Sequence, residues 1–306
     1  SFKISGILLE KSISFDSSKA GIFWTLCTGG NLVISEKRIE QDIDRIATII
    51  DKQKISHTLM LPSLYNLIIE HSKTDKLKSL TTVMVAGEVC PISLAEKHFS
   101  VLPKIDLYNE YGPTEATVWC IAHKISKDDV AHGTIPIGIS VANADVQLLD
   151  SKLKPVPYGA IGELYIGGEN LSGHYLNRSD LTKVAYVKNT NGVTLYKTGD
   201  IAKYNYKGTI EFLGRVDQQV KIRGYRVELD EIENALNAND MIKKAVVVVE
   251  TTDKTINTID TNATIETSEL AALLNTHLNE TDIDRLIGSI ESLGTNEKEY
   301  LLKQIK

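Results

Sequence analysis

The stretch from residue 107 to residue 115 constrains the fold of this chain more than any other. Apolar residues run up to it, as in a buried strand, and Gly112-Pro113 then forces a tight turn. Thr114 and Glu115 follow at once, at the kind of sheet edge where open α/β folds bind ligands. Thr114 suits a phosphate oxygen, Glu115 suits Mg²⁺, and Tyr111 offers an aromatic face to a flat base. The alternative is an ordinary strand-to-turn junction with a solvated glutamate.

Composition narrows the class of protein. The 306 residues are 42% hydrophobic and 24% charged, which is typical of a globular protein with a sizeable core. The net charge of −6 argues against nucleic acid as a partner, and the lack of a long apolar run argues against a membrane. Cys27, Cys90 and Cys120 are isolated from one another, so we expect free thiols and a cytoplasmic location.

The order of strand and helix patterns predicts an α/β fold. Strand and helix alternate up to Tyr108, which indicates a parallel sheet with flanking helices. Alternating residues at 13–16 predict a strand, after which Asp16 caps a helix. Gly87 ends the buried strand predicted at 82–86 and lets a flat ligand approach the backbone. From about residue 133, short strands between turns predict a β-rich subdomain.

Two later polar positions are further candidates. Asp200 follows Gly199 in a predicted turn, where its carboxylate suits ribose hydroxyls or merely caps the turn. Arg215 and Asp217 lie in a short segment between regions, and their alternative role is a surface ion pair of little energetic value.

Four stretches together indicate a family. Residues 109–115 (NEYGPTE) resemble the central motif of adenylate-forming enzymes, and most closely that of the adenylation domains of nonribosomal peptide synthetases. Three later stretches agree in order and spacing: residues 162–168 (GELYIGG), 196–200 (YKTGD) and 214–229 (GRVDQQVKIRGYRVEL). The resemblance covers roughly residues 1–250.

The resemblance implies two regions within residues 1–250, and composition adds a third beyond them. Residues 1–214 are expected to form the latter part of a large adenylation subdomain, with its β-rich portion at about 133–214. Residues 215–250 are expected to hold a hinge and the start of a small α+β C-terminal subdomain. Residues 251–306 read as a polar linker followed by a helical tail.

The resemblance also assigns roles residue by residue. Thr114 and Glu115 are the implied catalytic residues, with Glu115 as the metal ligand, and Asp217 is the implied hinge. The implied ATP- or AMP-binding residues are Gly87, Asn109, Tyr111, Gly112, Thr114, Asp200 and Arg215. The implied substrate-binding residues are Asp16, Ser17, Ala20, Met60, Met84, Ala86, Glu110, Val118 and Trp119. Asp16 stands where amino-acid-activating domains hold the α-ammonium, which favours an amino acid substrate. The mainly apolar pocket favours a bulky hydrophobic one, while Glu110 leaves a polar or basic side chain open.

The implied reaction has two steps. A carboxylate attacks the α-phosphate of ATP, with Mg²⁺, to form an acyl-adenylate, and a phosphopantetheine thiol on a carrier protein then takes the acyl group. The implied partners are the amino acid, a peptidyl carrier domain, neighbouring synthetase domains and a small MbtH-like accessory protein.

Two family features have no match in the chain, so we expect an adenylation domain that is incomplete at both ends. The first is the phosphate-binding loop, which the family pattern would place before residue 1. The second is a C-terminal lysine, which the pattern would place after residue 250. These residues alone are therefore not expected to perform the whole reaction. Two alternatives stay open: an acyl- or aryl-CoA ligase of the same superfamily, and an inactive remnant that acts as a scaffold.

Overall fold

The computed structural model describes residues 6–36, 38–216, 219–222 and 225–227, and the single residues 229, 232, 236 and 247. The chain divides into two compact units, the first made of residues 1–217 and 221–225, and the second of residues 218–220 and 226–306. The expected domain limits at 214 and 250 stay a prediction, and the tail expected at 251–306 lies outside the described residues. Except for two short strands, the elements below belong to the first unit.

A seven-stranded sheet forms the larger half of this unit. Its strands are β1 (Gly6–Leu9), β2 (Asn31–Ile34), β3 (His57–Met60), β4 (Thr82–Ala86), β5 (Asp106–Tyr111), β6 (Ile121–Lys124) and β7 (Ile139–Ser140). Their order in the sheet is β2-β1-β3-β4-β5-β6-β7. The first five run parallel, and β6 and β7 are added antiparallel. The predicted α/β fold class is confirmed.

Helices cover both faces of this sheet. They are α1 (Ser17–Cys27), α2 (Ile43–Lys52), α3 (Pro62–His71), α4 (Ile92–Val101) and the short α5 (Lys127–His132). Residues of α2, α3 and α4 pack in one core cluster with Leu8, Val83, Val85 and Leu107 of the sheet. Alternate strand residues point to opposite faces, so the other face carries Ile7 and Leu9, against which Gly21 of α1 packs.

A second, antiparallel sheet forms the β-rich part. Its strands are β8 (Ala144–Leu149), β9 (Ile161–Gly168), β10 (Tyr186–Lys188), β11 (Thr194–Tyr204) and β12 (Ile210–Arg215), with α6 (Ser179–Ala185) between β9 and β10. The order is β10-β11-β9-β8, and β12 pairs with β11. Its core includes Leu164 and Ile166 of β9 together with Cys120 and Ile121, so the two sheets share a hydrophobic cluster. Two short strands, β13 (Val220–Ile222) and β14 (Tyr225–Val227), follow.

Two local expectations were wrong. The strand expected at 13–16 is a turn, in which the Phe15 N–H donates to the Ser12 carbonyl at 3.1 Å, and β1 lies earlier in the chain. The turn expected at Gly199 is a β-bulge inside the continuous strand β11, where the register shifts between Lys197 and Ile201. Gly199 has φ +74°, a conformation that suits a bulge as well as it suits a turn.

The three cysteines are free thiols, with Cys27 exposed and the other two buried. Among the described helices, none has both the length and the apolar character needed to cross a membrane.

Candidate functional site

The site is organised by the tight loop that joins β5 to β6. After Tyr111 the chain turns at Gly112, forms a single 3₁₀ turn over Thr114–Ala116, and returns antiparallel as β6. Gly112 has no substitute here, because a Cβ would lie 2.3 Å from the Trp119 Cα atom. Val118 has φ +77°, which is a strained value for a β-branched residue and typical of loops held in place for a function.

The N-terminus of α1 contacts this loop through Asp16. The Asp16 Oδ1 atom accepts the Ser17 N–H at 2.5 Å, and its Oδ2 atom accepts the Thr114 hydroxyl at 2.6 Å. The two residues are 98 positions apart in sequence. The expected ammonium ligand and the expected phosphate ligand are therefore in direct contact.

Tyr111, Asp200 and Arg215 form a hydrogen-bonded chain across the two sheets. The Tyr111 hydroxyl donates to Asp200 Oδ2, and Arg215 Nη1 contacts Asp200 Oδ1 at 2.6 Å. Asp200 lies opposite Arg215 in the β11–β12 pairing, so the strand register aligns them. Burial and the Asp200 carboxylate raise the pKa of the Tyr111 hydroxyl far above its usual value, so it stays protonated and donates. The structure thus brings together three of the predicted nucleotide ligands.

Glu115 has a partner that the sequence analysis did not find. The Tyr175 hydroxyl donates to Glu115 Oε1 at 2.5 Å, from a position 60 residues later. Glu115 itself is buried, with 6% of its surface exposed. Burial, together with the hydrogen bond to Glu115, raises the pKa of Tyr175, which keeps its proton in place. Tyr175 lies outside the four recognised motifs, so no local signal marked it.

The predicted substrate residues fall into two groups. Met84, Ala86 and Glu110 share one face of the sheet, because Ala86 pairs with Glu110 and Met84 lies two residues before Ala86. This is the face on which α1 lies, and Ser17 and Ala20 are half-buried on that helix. Val118 and Trp119 are half-buried in the β5–β6 loop. Met60 is different: it packs in the core cluster with Tyr65 and Val85, which lies on the opposite face.

The remaining predicted residues support the loop or lie elsewhere. Gly87 follows β4 with φ +89°, and the Asn109 side-chain amide donates to the Pro136 carbonyl at 2.9 Å. Asp217, the predicted hinge, lies outside the described residues. No group of three or more potential metal-binding side chains occurs in the described part of the chain. Among the described residues, Glu115 is therefore not part of a cluster of three or more potential metal ligands.

Polar groups of this chain gather at the carboxyl ends of parallel strands. Open α/β proteins bind small ligands in the crevice at that edge of the sheet. The family model for AMP-binding enzymes matches residues 7–176, more than half of the chain. The chain belongs to that family.

Similar proteins are large synthetases. The chain is 40% identical over 243 residues to malpinin synthetase of Mortierella alpina, a match that covers 78% of the chain and 3% of that protein. It is 40% identical over 247 residues to bacitracin synthase 2 of Bacillus licheniformis, covering 79% of the chain and 9% of that protein. The chain thus spans less than a tenth of the length of these relatives.

A solved structure shares the fold. PA1221, described as an NRPS protein containing adenylation and PCP domains, superposes with a TM-score of 0.74 at 27% identity. The match covers 82% of this chain and 51% of that one.

Proposed function

We propose that this chain is part of an adenylation domain that activates an amino acid with ATP within a nonribosomal peptide synthetase. The observation that carries the proposal is the contact between Asp16 and Thr114. It sets a carboxylate suited to an α-ammonium beside a hydroxyl suited to a phosphate. An amino acid has both an ammonium and an attacking carboxylate. Bound next to a nucleoside triphosphate, it would match the Asp16 carboxylate and the Thr114 hydroxyl. Matches to synthetases over more than three quarters of the chain support the same activity.

The proposed first step forms an acyl–phosphate bond. An amino acid carboxylate oxygen attacks the α-phosphorus of ATP, the bond to the β-phosphate breaks, and pyrophosphate leaves. Asp16 binds the substrate ammonium through a charge-assisted hydrogen bond and so fixes the attacking carboxylate. Thr114 turns its hydroxyl from Asp16 to a phosphate oxygen when both ligands are bound.

The proposed nucleotide site uses the Tyr111, Asp200 and Arg215 chain. Asp200 accepts ribose hydroxyls, and the contact with Arg215 orients that carboxylate. Tyr111 is anchored by its hydroxyl, which leaves its ring as a surface for adenine. Gly87, Asn109 and Gly112 shape the backbone around the base, since none of them projects a bulky side chain into that space.

Glu115 is the residue that would hold Mg²⁺. A single buried carboxylate fits this ion, because Mg²⁺ takes one or two protein carboxylates and completes its shell with water and substrate phosphates. When bound, the ion would offset the negative charge of the phosphates. The hydrogen bond from Tyr175 holds one Glu115 oxygen in position and so fixes the orientation of the carboxylate.

The proposed second step and partners follow from the relatives. A phosphopantetheine thiol on a peptidyl carrier domain attacks the acyl carbonyl, loses its proton, and AMP leaves. PA1221 contains adenylation and PCP domains in one protein, which supports such a partner, and multidomain relatives support neighbouring synthetase domains. We also propose that Asp217 is the hinge, that a small MbtH-like accessory protein is a partner, and that the location is cytoplasmic.

The test is ATP–pyrophosphate exchange in the complete gene product, with each common amino acid in turn. We expect one or a few amino acids to stimulate exchange of labelled pyrophosphate into ATP. Exchange stimulated only by fatty or aryl acids would instead indicate the acyl- or aryl-CoA ligase. If no acid stimulated exchange, the result would indicate an inactive remnant that acts as a scaffold.

A further inference from the structure

The 3₁₀ turn after β5 is held by an irregular segment that follows β9, residues 170–175. The Ser172 N–H donates to the Glu115 carbonyl at 2.9 Å, and the Asn170 Nδ2 atom donates to the Ala116 carbonyl at 3.1 Å. A helical turn leaves the carbonyls at its end without partners of its own. The 170–175 segment therefore completes the hydrogen bonding of this turn.

Asn170 is bonded to the turn in both directions. Besides donating to Ala116, it accepts the Thr117 hydroxyl on its main-chain carbonyl at 2.6 Å. Thr117 has φ +56° and Val118 has φ +77°. Residues other than glycine keep such values only where the surrounding contacts hold them there. Asn170 supplies two of those contacts at the point where the strained stretch begins.

The orientation of the Asn170 amide follows from the Ala116 carbonyl. A carbonyl oxygen only accepts, so the amide nitrogen has to face it. The Asn170 Oδ1 atom is then buried without a hydrogen-bond partner among the described residues. Burying a polar oxygen in this way is costly, and an apolar side chain of similar size would avoid the cost. An asparagine at this position therefore indicates that the donated hydrogen bond is needed.

We propose that Asn170 is a positioning residue for adenylate formation, which holds the turn so that Thr114 and Glu115 meet the phosphates and the metal ion. The inference rests on the proposed function and adds a residue from outside the four recognised motifs. Asn170 acts through the backbone of Ala116, 54 positions earlier. Reaction rates are sensitive to small misplacements of the groups that orient the substrates, so a loosened turn lowers kcat.

The first test is Asn170→Asp in the complete gene product, by ATP–pyrophosphate exchange. The change keeps the size of the side chain but places a carboxylate oxygen against the Ala116 carbonyl. We expect kcat to fall by about tenfold to a hundredfold. The Mg²⁺ concentration for half-maximal exchange should rise, because Glu115 lies on the turn. The KM for the amino acid should change little, because Asp16 lies outside the turn. A side chain needed only to fill space would tolerate this change of equal size.

Acid pH supplies a rescue of the same variant. A carboxyl that binds a proton regains an O–H donor, which can bond the Ala116 carbonyl again. The ratio of kcat in Asn170→Asp to kcat in the native protein should therefore rise as pH falls from about 8 to about 5. A ratio that stays constant would overturn the role of this hydrogen bond.

The matched control is Asn189→Asp in the turn before β11. Asn189 Oδ1 accepts the N–H groups of Asn191 and Val193, each at 3.0 Å. A carboxylate oxygen accepts both bonds equally well, so this variant makes the same change in charge and keeps its contacts. Its kcat, its Mg²⁺ dependence and its pH profile should match those of the native protein.

Two variants of Thr117 test the bond in the other direction. Thr117→Val keeps the branched shape and removes the hydroxyl, whereas Thr117→Ser keeps the hydroxyl. We expect kcat to fall in Thr117→Val and to be largely retained in Thr117→Ser. Equal losses in the two variants would overturn the role of the bond to Asn170.

Hydrogen–deuterium exchange gives a readout that needs no turnover. The backbone amides of residues 111–120 should exchange faster in Asn170→Asp than in Asn189→Asp or the native protein. Unchanged kcat, Mg²⁺ dependence and amide exchange in Asn170→Asp would overturn the inference and leave the proposed function standing. If no amino acid supports pyrophosphate exchange in the native protein, the proposed function fails, and the catalytic role of Asn170 fails with it.

Discussion

The Thr114 hydroxyl donates a 2.6 Å hydrogen bond to the Asp16 carboxylate, and this contact joins the loop after β5 to the start of α1. In the structure these two groups are hydrogen-bonded to each other. In the proposed complex both exchange this bond for a ligand, Asp16 for an ammonium and Thr114 for a phosphate. We therefore propose that this contact marks the point where the two substrates meet.

Asp16→Ala should abolish most amino-acid-dependent exchange. Loss of a charge-assisted hydrogen bond costs about 1.5–3 kcal/mol, so we expect kcat/KM for the amino acid to fall by about 10-fold to 150-fold. The matched control is Asp42→Ala, because Asp42 caps α2 by accepting the Arg45 N–H at 2.9 Å. That change should cost about 1 kcal/mol of stability and leave kcat/KM intact. An equal fall in kcat/KM in both variants would mean that Asp16 acts only as a helix cap.

Tyr111→Phe should weaken the binding of ATP. It removes the donor to Asp200 and leaves that buried carboxylate with one contact fewer, at a cost of about 1–3 kcal/mol. We expect the KM for ATP to rise while the KM for the amino acid changes little. Tyr165→Phe is the control, since the Tyr165 hydroxyl donates to Glu163 at 3.1 Å in the second sheet. An unchanged KM for ATP in Tyr111→Phe would separate this chain of contacts from the nucleotide.

Tyr175→Phe should change the response to Mg²⁺. Glu115 loses the hydrogen bond that orients it, so a higher Mg²⁺ concentration should be needed for half-maximal exchange. The measurement is a Mg²⁺ titration of exchange at saturating ATP, with Tyr165→Phe again as the control. Identical titration curves would assign Tyr175 to packing alone.

Glu110→Gln should alter how stability depends on pH. Burial raises the pKa of Glu110 from 4.5 to about 8, so between these values the folded state holds a proton that the unfolded state releases. The stabilisation is fully present below 4.5 and is lost as pH rises through the folded value, at about 1.4 kcal/mol per pH unit at most. Glutamine does not titrate.

We therefore expect the melting temperature of Glu110→Gln, relative to the native protein, to rise from pH 4.5 to pH 8 and then level off. Thermal melts at matched ionic strength measure this difference. A constant difference across the range would mean that Glu110 has its ordinary pKa in the folded protein.

Much of the fold follows from local patterns in the sequence. The parallel order of the first strands comes from strand–helix alternation, and β5 with its Gly112-Pro113 turn lies where the apolar run and turn residues predict it. Residue types alone were also enough to pick out Thr114 and Glu115 as polar groups at a strand end.

The contacts between distant segments do not follow from local patterns. Asp16 with Thr114, and Tyr175 with Glu115, meet only because separate elements converge on one loop. Gly199 shows a related limit, because a glycine with positive φ serves a bulge or a turn equally well.

The sidedness of Met60 shows a further limit. The resemblance assigned it to the same substrate pocket as Met84. The observed register pairs it with Val85 instead, and a shift of one residue reverses the face of a strand.

The most direct test of adenylate formation follows an oxygen atom. The amino acid that best supports exchange is supplied with ¹⁸O in its carboxylate, and the AMP released by the complete gene product is examined by mass spectrometry. Attack of the carboxylate on the α-phosphorus predicts AMP that carries one ¹⁸O atom from the amino acid. Unlabelled AMP, or label recovered in pyrophosphate or inorganic phosphate, would contradict the proposed function.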